Sequence, residues 1–205
     1  TFAPTASGPL KSGTFAAQAP HVMNRLMQDF NLQQHQALGI LGNLGHESGG
    51  LVAGIQEKNP TAGRGGLGWA QWTGSRRVAF EKFLKENNLS AKDPEANYAF
   101  LKRELETTHK SSISAVRNAK TKEQALVAFE NDFERAGVKA WGSRTRYMNQ
   151  AEKAYKDHLE SLKNNPEISS KVNGPLGSIY SVDDGKKPIA GGVLRPESKL
   201  SLGDY

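Results

Sequence analysis

Two glycine-rich stretches, Gly42-Asn43-Leu44-Gly45-His46-Glu47-Ser48-Gly49-Gly50 and Gly65-Gly66-Leu67-Gly68-Trp69-Ala70-Gln71-Trp72-Thr73-Gly74, decide how the chain is read. The first closes a segment from about Gln33 to His46 in which Leu38, Ile40, Leu41 and Leu44 fall largely on one side, which predicts an apolar helix with Glu47 at its C-terminal end. Between Ser48 and Gly74 the helical period vanishes and eight glycines appear. That composition predicts loops with a small β-hairpin beside the helix end.

Outside this segment helical periodicity dominates. Pro20 suits the first turn of a helix carrying Val22, Met23, Leu26, Met27 and Phe30. Further helices are expected at Arg76 to Glu86, at Pro94 to Thr107, and as a short turn around Ile113 to Val116. Another runs from Lys122 to Arg135, opened by a Thr121 and Gln124 capping box and stopped by Gly137. The last, about Ser143 to Asn164, spaces Met148, Ala151, Tyr155, Leu159 and Leu162 by steps of three and four. Residues 1–19 have the Ala, Pro, Gly, Ser and Thr composition of a leader or linker, and 165–205 read as an extended tail. The expected fold class is mainly α, with a domain over 20–164.

The 205 residues include no cysteine, which excludes thiolate metal sites, iron-sulfur ligation, disulfide scaffolds and thiol catalysis. His21, His35, His109 and His158 show no metal-ligand spacing, so neither metal nor cofactor is expected. No run approaches the roughly 18 to 20 apolar residues of a membrane span, and a soluble protein is expected. The chain begins at Thr1, as a processed product or a piece of a longer polypeptide would. From Glu160 onward six acids balance six bases, so the whole net charge of +6 lies before that point. A basic body fits a polyanion such as nucleic acid or the bacterial cell wall. The basic residues form no stripe and no nucleic-acid reader is recognisable, which argues against a nucleic-acid partner.

The chemistry centres on Glu47. At a helix C-terminus the dipole and the last carbonyls disfavour a carboxylate, so its carboxyl is expected to hold a proton near neutrality. Such an acid can protonate a glycosidic leaving oxygen. Trp69 and Trp72 are candidates for flat faces on which sugars stack, or else they are core. His46 sits about 100 degrees from Glu47 around the helix and is expected to face away.

The helix with Gly-Asn-Leu-x-x-Glu-Ser-Gly (Gly42 to Gly49), a following Glu57, Gly-Gly-x-Gly-x-Ala-Gln-Trp-Thr-Gly (Gly65 to Gly74) and Arg76-Arg77 resembles the phage tail lysozyme family, relatives of goose-type lysozymes and lytic transglycosylases. Weaker similarity runs through Phe129 to Gly137 to Arg144 and Tyr147. The resemblance implies a lysozyme-like helical domain. It makes Glu47 the catalytic glutamate and aligns Gly68, Ala70 and Gln71 with a cleft-lining glycine-x-x-glutamine element. Ser48 is expected in the same cleft, and Thr73 is placed to orient a water or a sugar hydroxyl. Glu57 is the nearest acid available as a second carboxylate, though beside Lys58 it also reads as a surface residue. One of Arg76 and Arg77, assigned here as Arg77, is expected to meet substrate carboxylates. Glu134 and Arg144 are expected to form a structural salt bridge.

The resemblance implies an enzyme that cleaves the β-1,4 bond between N-acetylmuramic acid and N-acetylglucosamine in peptidoglycan, carried on a virion tail and acting at the host wall. Virion proteins are candidate partners for the C-terminal tail. Two alternatives stay open: a lytic transglycosylase giving 1,6-anhydro ends, and a noncatalytic wall-binding tail module.

Overall fold

The computed structural model describes residues 9–60 and 62–164; the first eight residues and the expected tail, 165–205, lie outside them. Among the described residues seven α-helices follow in order: α1 Phe15–Phe30, α2 Gln34–Glu47, α3 Gly74–Asn87, α4 Pro94–Glu106, α5 Lys110–Asn118, α6 Lys122–Phe129 and α7 Trp141–Lys163. A single π-helical turn, Glu130–Glu134, extends α6. The mainly α reading holds.

Several boundaries differ from the sequence reading. The first helix begins at Phe15, inside the expected leader, because the Thr14 hydroxyl caps the Ala17 amide and Gln18 is drawn into the core. Leu10 is buried as well. Pro20 therefore sits inside α1, where the carbonyl it leaves unpaired belongs to the solvent-exposed Ala16. The expected hairpin is reduced to isolated antiparallel bridges, Gln56 with Leu67 and Leu67 with Trp72. Gly63, Gly65 and Gly68 there take positive φ angles that curl the chain instead of extending it. The helix expected to reach Arg135 changes to π geometry at Glu130, and Arg135 in the left-handed region, not Gly137, stops it.

The second helix is the hub, packed against α1, α5, α6 and α7. Its centre holds Leu38, Ile40, Leu41 and Leu44, all essentially unexposed. What permits such close approach is a glycine at every third position. A methyl group at Gly39 would stand 2.4 Å from the Leu126 backbone nitrogen, at Gly42 2.8 Å from the Arg144 carbonyl, and at Gly45 2.7 Å from the Tyr147 ring. The glycines therefore seat α2 against α6 and α7 backbone to backbone, and this sets where the end of α2 lies.

In Gly39→Ala, the helix-propensity gain of about 1 kcal/mol is outweighed by forcing two backbones apart, with a net loss of about 1–2 kcal/mol expected. A urea midpoint equal to or above that of the wild type would contradict this packing.

Candidate active site

Glu47 is the last residue of α2. The chain turns away behind it through Gly49, Gly50 and Leu51, all with positive φ. Ser48, fully buried, holds that turn: its hydroxyl donates to the Leu44 carbonyl at 2.6 Å and accepts from the Leu51 amide at 2.7 Å. The helix end is thus closed internally, and the Glu47 side chain, 17% exposed, projects from a fixed base.

Facing it is Arg144 of α7, with no exposed side-chain surface. One guanidinium nitrogen, Nη2, donates to Glu47 Oε1 at 2.6 Å, Nη1 to Asn43 Oδ1 at 2.9 Å, and Nε to the Lys139 carbonyl at 2.7 Å. Asn43 is itself fixed by donating to the Gly39 and Leu126 carbonyls. A buried cation needs such a set of partners, since an unpaired charge in the interior is strongly destabilising. Arg144 therefore pairs with Glu47, and the expected Glu134–Arg144 salt bridge is replaced by this contact.

Glu134 ends the π turn, and its Oε1 is shut off from solvent with no hydrogen-bond partner. Burial, then the neighbouring Glu47 charge, hold its carboxyl well above the usual carboxylate range, against the opposing pull of Arg76 and Arg144. The group placed to keep a proton is thus Glu134. Sequence reading missed this role, because the signal is a wide helical turn and a fold contact, neither visible in residue spacing. His46 contacts Ser143 of α7 through Nδ1 at 3.0 Å; burial first, then Arg144, lower its pKa while Glu47 opposes.

Arg76 braces the π turn. It donates to both oxygens of Glu104 at 2.7–2.8 Å and to the Phe133 carbonyl at 3.2 Å, and lies 4.3 Å over the Phe133 ring. Glu104 also accepts from the Trp72 indole at 2.6 Å. A groove of about 750 Å³ lies beyond this brace between α3 and α4, lined by Phe83, Phe100, Arg103 and His109 among others. Neither Glu47 nor any residue assigned to substrate contact lines it.

Of those expected contacts, several are structural. Trp69 and Trp72 are fully buried, their indole N–H groups spent on the Leu51 carbonyl and Glu104, so neither offers a face to a sugar. Arg77 is bound inward to the Arg64 and Gly65 carbonyls and to Glu81, which leaves it no freedom to meet substrate. Gly68, at φ +75°, lies where a methyl group would stand 2.5 Å from Asn97 Oδ1, so its lack of a side chain serves internal packing. Gln71 is half-buried and donates to the Ile55 and Gly68 carbonyls. Thr73, before α3, is exposed. Glu57 lies on the exposed loop and accepts the Gly66 amide at 2.9 Å through Oε2.

Among the described residues no three His, Asp or Glu side chains are grouped to hold a metal ion, and no helix is long and apolar enough to cross a membrane. A model of the phage tail lysozyme family matches residues 17–157, most of the chain, and the protein belongs to that family of peptidoglycan-degrading enzymes. No curated protein matches it.

The raised Glu134 carboxyl has a signed consequence for stability. In the unfolded chain Glu134 ionises near the ordinary value of about 4.3, whereas the fold raises its pKa above that, so the folded state binds more protons above that pH and is destabilised as pH rises. Glu134→Gln removes this penalty. Its melting temperature should gain on the wild type as pH rises from about 4, with no relative change at lower pH; parallel curves would refute the buried protonated state.

Proposed function

We propose that this phage tail lysozyme family member cleaves the β-1,4 bond between N-acetylmuramic acid and N-acetylglucosamine, with Glu47 as the general acid. The observation that carries the reading is the cluster of Glu47, Arg144 and Glu134. Burial, and after it the Glu47 charge, favour the protonated form of Glu134, so the cluster keeps a proton beside Glu47. Glu47 sits at a helix end with part of its side chain exposed, whereas Oε1 of Glu134 is closed off from solvent. As general acid Glu47 gives a proton to the leaving glycosidic oxygen as the bond to the anomeric carbon breaks. The Glu47 carboxylate then faces the positive charge developing on the sugar, while Arg144 keeps it in place.

The attacking group divides two outcomes. In hydrolysis a water adds to the anomeric carbon, and Glu57 is the loop carboxylate proposed to position it. In transglycosylation the muramic acid's own 6-hydroxyl attacks and no water is consumed. One observation favours this second reading: a Glu57 oxygen is already engaged on the Gly66 amide. The exposed Thr73 is the remaining hydroxyl proposed to contact a sugar or water at this edge. The enzyme would act from a virion tail on the host wall, with residues 165–205 as the proposed attachment to other virion proteins.

Glu47→Gln keeps the hydrogen bond from Arg144 but has no proton to give. Loss of general acid catalysis costs about 10² to 10⁴-fold, so wall lysis by the folded variant should fall below a tenth of wild type; more activity than that sinks the assignment. Glu57→Gln separates the outcomes. A strong fall in turnover with KM unchanged supports hydrolysis, and normal turnover with muropeptide products one water lighter than hydrolytic ones supports transglycosylation.

A further inference from the structure

Trp141 is the most exposed Phe, Tyr or Trp side chain among the described residues, at 39%, and Val138 just before it is 82% exposed. Leaving an indole in water forgoes stabilisation that burial would supply, so a fixed, exposed tryptophan calls for a reason. This one is fixed. Its segment is tied to the π turn by Lys139 on the buried Glu130 carboxylate and by the Ala136 amide on Glu130 Oε1, and to α7 by Arg144 on the Lys139 carbonyl.

Its place is also defined. Trp141 is the first residue of α7, three positions before Arg144. Residues three apart on a helix are neighbours on its surface, with Cβ atoms roughly 5–6 Å apart, and side chains lean toward the N-terminus. Trp141 is therefore the helix neighbour of Arg144, whose guanidinium grips Glu47. The same ties that hold Arg144 on Glu47 hold the backbone that carries the indole.

We infer that Trp141, with Val138 at its edge, is a saccharide-stacking platform that seats a sugar ring of the glycan strand next to the bond Glu47 attacks. A pyranose presents a face of C–H groups that packs on an aromatic plane, and its hydroxyl rim stays in water. The platform takes over the role for which Trp69 and Trp72 are too deeply buried. This inference rests on the glycosidase reading above and names the substrate part, a hexosamine ring, that the site holds beyond the scissile bond.

The test uses the full chain and peptidoglycan glycan strands stripped of their peptides. The chain has three tryptophans, and the other two are buried. In a Glu47→Gln background, which stops turnover, glycan strands should shift the tryptophan emission saturably, and adding Trp141→Phe should remove the shift. In the active enzyme, Trp141→Ala should raise KM about tenfold with kcat within about threefold, and Trp141→Tyr should restore most of the loss. An emission shift that persists without Trp141, or no shift at all, overturns the platform, and this measurement decides where the kinetics disagree. A wild type that lyses walls alongside an equally effective Trp141→Ala removes only the platform; a wild type that leaves walls intact removes the glycosidase reading and this inference together.

Discussion

One buried guanidinium organises this protein. Arg144 lies in the interior at the start of α7, and a charge there is tolerable only because each side of it is answered: Glu47 and Asn43 from α2, and the Lys139 carbonyl from the segment before α7. Breaking such a set leaves an uncompensated buried charge, at a cost of about 3–5 kcal/mol. The arginine thus couples stability to chemistry. The contact that makes its burial possible is also the one that aims Glu47.

The partners of Arg144 can meet only because α2 approaches its neighbours so closely. Helices commonly pack at 8–10 Å between axes, with side chains filling the space. Here Gly39, Gly42 and Gly45 remove that filling on one face, and the Asn43 amide bonds straight to the Leu126 backbone carbonyl of α6. The site is consequently built on helix ends and helix backbones. Such a base holds the proposed proton donor more steadily than a loop would.

A second layer surrounds this pair. The π turn carries Glu134 inward, and Arg76 fixes that turn by bonding to its backbone while bound to Glu104, which also takes the Trp72 indole. The glycine-rich loop from Ser48 to Gly74 is therefore tied into the core by its two tryptophans. Its conspicuous motif residues serve architecture more than contact with a substrate. The exposed aromatic surface comes from the start of α7, at Trp141.

What the sequence by itself determined is local. The 3.6-residue period marked six of the seven helices to within a few residues and the seventh as a single turn, because amphipathic spacing is a property of neighbouring residues. The glycine clusters likewise marked the irregular segment, and the motif around Glu47 and Gln71 marked the family, since both are written in consecutive residues. Only tertiary structure decided which charges meet. Glu134 and Arg144 lie ten positions apart and invite pairing, yet Arg144 belongs to Glu47, 97 positions away in sequence. The depth of a tryptophan is equally unreadable: Trp69, Trp72 and Trp141 each sit among small and polar residues, and burial of the first two depends on α4 supplying Asn97 and Glu104 at the right height. Burial, and the proton affinity that follows from it at Glu134, belong to the packed assembly of α2, the π turn and α7, because desolvation is set by everything that surrounds a group in space and not by its neighbours along the chain.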